Sequence, residues 1–152
     1  MPRFSQPKQL RCAAALLCSV IGLHAGTAAA LEAGFPPWKQ LAAVAVIDIV
    51  TADEDGSVRK TPVWFVLVEG APYLRTSDSR WLANIVRGSD IRVFIEGLEY
   101  QVGAQVMEAE GILPKVDAAS LAKYGWQERA LFARFAPPDI LKLVPYVESS
   151  AR

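Results

Sequence analysis

The chain has 152 residues, with 16 Lys plus Arg, 16 Asp plus Glu, one His and two Cys, and an apolar fraction of 52%. That length suits one domain, and the composition is that of a packed protein and not a disordered one. Cys12, Cys18 and His24 all fall in the first 24 residues. If that stretch is removed, the remainder has no disulfide framework, no Cys nucleophile, no Ser-His-Asp triad and no metal site built on His or thiolate.

Residues 1–30 read as a leader. Arg3, Lys8 and Arg11 form a basic start without acids, Cys12 to Leu23 an apolar core, and Ala28-Ala29-Ala30 a small-residue end. These are the three parts of a secretory signal peptide, with cleavage expected after Ala30 or Ala28. The alternative is an uncleaved anchor, but the apolar core is about a dozen residues, short of the ~18–20 that span a bilayer. No twin-arginine pair and no lipoprotein box accompany it, so the expected route is general secretory export to the periplasm or medium. The mature part keeps all 16 acids but only 13 of the 16 bases, a net charge of −3. A mildly acidic domain without a basic run is a poor nucleic-acid binder. The expected organisation is leader 1–30, linker 31–38, domain 39–148 and tail 149–152, with no membrane segment in the mature form.

Leu41 to Val50 is rich in Val and Ile and reads as a strand, with some helix ambiguity from its Ala residues. Asp53-Glu54-Asp55-Gly56 reads as a solvated hairpin tip. Val58 to Val68 is a strand buried on both faces, with Pro62 at an edge or strand-start position. Tyr73 to Thr76 is a short third strand. From Ser77 to Arg87 the apolar period becomes helical, with Ser77 or Asp78 as N-cap and Trp81 facing the core. Ile91 to Ile95 and Glu99 to Glu108 read as a hairpin turning at Gly97-Leu98. Gly111 to Pro114 breaks the pattern. Asp117 to Lys123 and Trp126 to Phe135 read as two short helices joined at Gly125. Ile140 to Val147 is a last strand, with Pro145 marking an edge. The fold class is mainly β (α+β), about six strands with short helices.

Four patches between Arg59 and Trp126 carry a resemblance. They are Arg59-Lys60-Thr61-Pro62-Val63-Trp64-Phe65, Tyr73 to Trp81, Ile91 to Ile95 with the hairpin to Val106, and Lys123-Tyr124-Gly125-Trp126. In this order they resemble the split β-barrel of the pyridoxamine-phosphate-oxidase-like superfamily, which includes flavin- and deazaflavin-binding proteins. The resemblance implies a split barrel, a homodimer, and an FMN or deazaflavin cofactor lying at the dimer interface. It places the cofactor phosphate at the helix start after the third strand. The cofactor-binding residues it implies are Arg59, Lys60, Arg75, Thr76, Ser77, Ser79 and Arg80, with Trp64 beside the ring; no catalytic residue and no metal ligand is implied.

Physical chemistry supports an anion site independently. A helix start offers free N–H groups, hydroxyls add donors, and guanidinium forks suit phosphate oxygens. The blander reading is that Ser77 and Asp78 merely cap the helix and that the bases are solvated or paired. Asp78 beside the site would repel phosphate. Trp64, Phe65, Trp81, Tyr100 and Trp126 form either a stacking surface or core. Trp64 and Phe65 are adjacent on a strand and must point to opposite faces. Lys123 and Tyr124 are either an anion contact and a proton donor or a helix C-terminus capped by Gly125. Three expectations follow: a flavin- or deazaflavin-dependent oxidoreductase acting on a small molecule, a non-catalytic exported dimeric domain that has lost its cofactor, or a binder of another anionic small molecule.

Overall fold

The computed structural model describes residues 31–127 and 138–148. The expected leader, the tail and most of the predicted Trp126–Phe135 helix lie outside them. Among the described residues are seven strands and two helices. In chain order they are β1 (Leu31–Glu32), β2 (Val46–Ala52), β3 (Val58–Val68), β4 (Ala71–Thr76), α1 (Arg80–Val86), β5 (Ile91–Ile95), β6 (Leu98–Met107), α2 (Ala109–Tyr124) and β7 (Asp139–Pro145).

The strands run β1-β6-β5-β2-β3-β4-β7, and β7 pairs back onto β6, closing six of them into an antiparallel barrel. β1 lies parallel to β6 at Glu99 and Tyr100, and β7 takes over from Val102 to Met107. Two tight turns set the register. Glu69 and Gly70 have φ of 54° and 82°, and Glu96 and Gly97 have 49° and 86°. Positive φ at both central residues is what a two-residue hairpin needs to match strand twist. Gly97 thus turns the predicted hairpin, with Ile95 opposite Leu98.

Alternating residues fill two cores. Ile49, Phe65, Leu74, Val93, Val102 and Leu141 are buried inside the barrel. Val66, Val68, Tyr73 and Ile140 face outward and pack under α2 through Val116. Trp64 and Phe65 do point to opposite faces. Phe65 joins the inner core and Trp64 the α2 side.

Three elements differ from expectation. The strand expected from Leu41 begins only at Val46, and Trp38 to Ala43 form successive tight turns, with Leu41 N–H on Trp38 C=O at 3.1 Å and Val44 N–H on Leu41 C=O at 3.0 Å. Pro36 and Pro37 fix the backbone that starts these turns. They drive Trp38 into the barrel end, where its ring sits 5.3 Å from that of Phe65. The α1 cap is Ser79, not Ser77 or Asp78. Its Oγ accepts from Leu82 N–H at 3.3 Å and from Thr76 Oγ1 at 3.0 Å. Asp78 instead takes φ 38°, a left-handed position that Asp tolerates better than most. Finally, α2 runs straight through Gly111 to Pro114. Pro114 sits near the helix N-terminus and forfeits one backbone bond. Burial of Val116, with Ile112, Leu113 and Ala119 against the sheet, offsets that loss. The predicted Gly125 cap is present: φ is 62° and its N–H donates to Leu121 C=O at 2.9 Å.

Among the described residues no helix is long and apolar enough to cross a membrane.

Candidate functional site

β3 changes partner halfway along. Val58 to Trp64 pair with β2, whereas Phe65 to Val68 pair with β4. Past Leu74, β4 leaves β3, and Arg75 and Thr76 pair only with β7. Pro62 sits on the half of β3 whose β4-facing edge is open, so its missing N–H costs no ladder bond there. The sheet therefore splits at Trp64, and α2 lies across the split.

The last residues of α2 occupy this switch. The β2–β3 ladder ends at the Val46–Trp64 pair. At the next rung the Tyr124 hydroxyl accepts from Phe65 N–H at 3.1 Å and lies 2.7 Å from Phe65 C=O and 2.8 Å from Ala45 C=O. Lys123 Nζ also donates to Phe65 C=O at 3.0 Å and sits 3.6 Å above the Phe65 ring. The Tyr124 ring stacks on Trp64 with centroids 4.3 Å apart and planes 11° from parallel. Burial pulls the Lys123 amine down to about 8. Burial also pushes the Tyr124 phenol up to about 12, against the opposing Phe65 N–H bond. The phenol thus remains a neutral donor and acceptor that finishes the ladder.

The expected site residues fall into four places. Trp64 and Arg75 line one cleft with Val66, Tyr73, Val116 and Tyr124. There Arg75 Nη1 donates to Asp117 Oδ1 at 2.7 Å. With Tyr124 in place the cleft keeps about 10 Å³, room for one water at most. Thr76, Ser77 and Ser79 form the run from β4 into α1, and Ser79 caps the helix. Arg59 and Arg80 both act on Asp53 at the β2–β3 hairpin, beside an open depression of about 400 Å³ lined by Asp53, Glu54, Asp55, Arg80 and Arg87. Lys60 stands apart, 3.1 Å from Asp48 and 3.7 Å above the Phe94 ring.

Most of these bases already hold an acid. The Arg59 fork grips Asp53 through Nε at 2.8 Å and Nη2 at 2.6 Å. Asn84 Nδ2 donates to the same carboxylate at 2.7 Å and to Thr51 Oγ1 at 3.0 Å. The Arg59 and Asn84 hydrogen bonds hold the Asp53 carboxyl at about 2, with the Arg80 charge adding to them. The acid cluster read as a plain hairpin tip is thus tied to α1 through Asp53. Because its folded pKa lies below the ordinary value of 3.8, Asp53 contributes stability above about pH 4 that is lost as pH falls towards 2. Melting curves of Asp53→Asn should lose the part of the wild-type pH dependence that lies in this window. An unchanged acid limb would contradict the assignment.

Asp117, Asn84 and the Trp64–Tyr124 stack were missed by sequence reasoning. Apart from Arg87, which donates to Asn84 from the next turn, their partners are 31 to 60 positions away in the chain. The local signal that existed was Tyr124 immediately before a capping glycine at the end of a helix, which fixes where that ring emerges.

Residues 38–138 match the model of a family described as "Uncharacterized protein conserved in bacteria (DUF2255)". No curated protein matches the chain. Among solved structures it is similar to HutZ, the heme storage protein of Vibrio cholerae, at 15% identity and a TM-score of 0.55, covering 72% of this chain and 86% of that one. It is similar to a conserved hypothetical protein of Mycobacterium tuberculosis at 14% identity and a TM-score of 0.58, covering 76% and 84%. A FAD-binding protein of Mesorhizobium loti aligns at 9% identity and a TM-score of 0.51, covering 75% and 92%. These likenesses establish the split β-barrel fold that the sequence resemblance implied. By its match over residues 38–138, the chain belongs to the DUF2255 family of bacterial proteins.

Proposed function

We propose that the chain is an exported, homodimeric split barrel that binds a flavin-type cofactor, FMN or a deazaflavin coenzyme, and acts when loaded as an oxidoreductase on a small molecule. The observation that carries this reading is the partner switch of β3. It puts an aromatic face, Trp64, and a guanidinium, Arg75, on one cleft. Thr76, Ser77, Ser79 and Arg80 follow directly along the strand and into α1. The donor set suits the anionic end of such a cofactor. The cleft as closed by Tyr124 is too small for its ring. When bound, the cofactor would supply the redox chemistry, and this chain would anchor the phosphate and exclude water from one ring face. Export is supported by the basic start, short apolar core and Ala-x-Ala end of residues 1–30.

A second reading, a non-catalytic domain or a binder of another anionic small molecule, is favoured by the pairing of Arg59, Lys60 and Arg75 with Asp53, Asp48 and Asp117. Titration of the purified mature protein with FMN, a deazaflavin coenzyme and hemin, followed by absorbance and flavin fluorescence, separates the two. The flavin reading expects FMN uptake, weakened about tenfold or more in Arg75→Ala/Arg80→Ala, since charge-assisted bonds to an anion are lost. A colourless protein that takes up neither flavin nor deazaflavin overturns it. Sedimentation at micromolar concentration tests the homodimer, and a monomer would remove the interface with it.

A further inference from the structure

Two side chains of α2, Tyr124 in the cleft and Asp117 at its rim, together have the chemistry of a ligand. Tyr124 lays a flat ring parallel to Trp64 at 4.3 Å. Asp117 presents a carboxylate to Arg75 at 2.7 Å. They are seven residues apart on one helix, two turns, so ring and anion are separated by about 10 Å along one face. The pair is unequal in burial. The Arg75 side chain is 13% exposed, whereas that of Asp117 is 46% exposed. The guanidinium belongs to the cleft, and the carboxylate reaches it from the rim. The walls between them are Val66, Tyr73 and Val116, which suit an apolar body.

We propose that α2 acts as an internal stand-in ligand. Tyr124 holds the place of a planar ring on Trp64, Asp117 holds the place of an anionic group on Arg75, and the ligand that displaces them is a planar aromatic ring carrying a phosphate or carboxylate about 10 Å away. This rests on the reading of the cleft as a ligand site and adds its regulation: binding requires the C-terminal turn of α2 to yield. Gly125 is where it would yield. It has φ 62°, a Cβ added there would meet no described atom within 4 Å, and it ends the helix directly after Tyr124. What opposes the movement is the Tyr124 hydroxyl, tied into the rung between Ala45 and Phe65. Ring and anion are therefore separable in their effects, since each displaces a different part of the ligand.

The test is the affinity of the full mature chain for FMN and for riboflavin, which has the same ring without the phosphate. Flavin fluorescence quenching measures it in wild type, Asp117→Asn, Tyr124→Phe and Tyr124→Ala. Asp117→Asn should raise FMN affinity about tenfold and leave riboflavin nearly unchanged, because only the anion competes at Arg75. Tyr124→Ala should raise both affinities, and Tyr124→Phe should raise both by less, since it unties the ring without removing it. Circular dichroism and melting confirm folding. If Tyr124→Ala does not fold, the two isosteric variants decide the matter. Folded variants that bind FMN as wild type does overturn the stand-in role and leave the ligand reading standing. Failure of wild type and every variant to take up FMN, riboflavin or hemin overturns both.

Discussion

Replacing Phe65 by Ala should lower the unfolding free energy by about 3–5 kcal/mol. The ring is 1% exposed, so its removal opens an internal cavity and does not merely trim a surface. Three neighbours lose their contact together. The Trp38 ring packs against it at 5.3 Å and 58°. The Lys123 ammonium sits above it at 3.6 Å. The inner core around Leu74 is continuous with it. Trp38 is the sensitive partner, because its buried indole N–H has no hydrogen-bond partner among the described residues. Among the described residues, the tight turns of residues 36–44 are docked through ring packing of Trp38 on Phe35 and Phe65. Urea denaturation should show a lower midpoint with little change in slope, together with a red shift of the Trp38 emission. A loss below about 1 kcal/mol would mean that the barrel end collapses around the gap.

Asn84→Leu should cost about 2–3 kcal/mol, although it keeps the branched shape and adds apolar surface. Asn84 is 3% exposed and lies at the contact between α1 and β2. It donates to Thr51 and Asp53 and accepts from Arg87 at 3.1 Å. Leucine leaves the buried Thr51 hydroxyl without this partner and takes one bond each from Asp53 and Arg87 at the open depression, and an unmade buried bond costs more than a made one contributes. The same change removes one of the two hydrogen-bonding partners that hold the Asp53 carboxyl low, so its pKa should move up towards the ordinary value. Denaturant titration measures the first effect, and an NMR pH titration of the Asp53 carboxyl carbon measures the second. A stable variant with an unmoved Asp53 would show that Arg59 alone organises the hairpin.

Local periodicity made much of the barrel legible. The alternation in Ile91-Arg92-Val93-Phe94-Ile95 and the glycine at the following turn suffice for that hairpin, because strand parity and turn geometry are set within a few residues. Gly125 marks a helix end for the same reason. Trp38 to Ala43 was not legible as turns, since Val and Ile just after it favour a strand and only docking of Trp38 decides. Pro114 reads as a break because its penalty is local, while the burial that outweighs it lies on β3, β4 and β7. The site was legible as a set of residue types and not as an arrangement. Arg59, Arg75 and Lys60 each look available for phosphate in the chain, and each finds an aspartate only after folding. Asp117 joins Arg75 across 42 positions, a pairing that no local pattern encodes.

β3 has a consequence for how the protein melts. Phe65 belongs to the core inside the barrel, while Val66 and Val68 belong to the one beneath α2. One backbone thus supplies walls to two compartments, and neither can lose its packing while β3 stays in place for the other. The described fold should come apart in a single cooperative transition, with helix signal and inner-core tryptophan emission disappearing together.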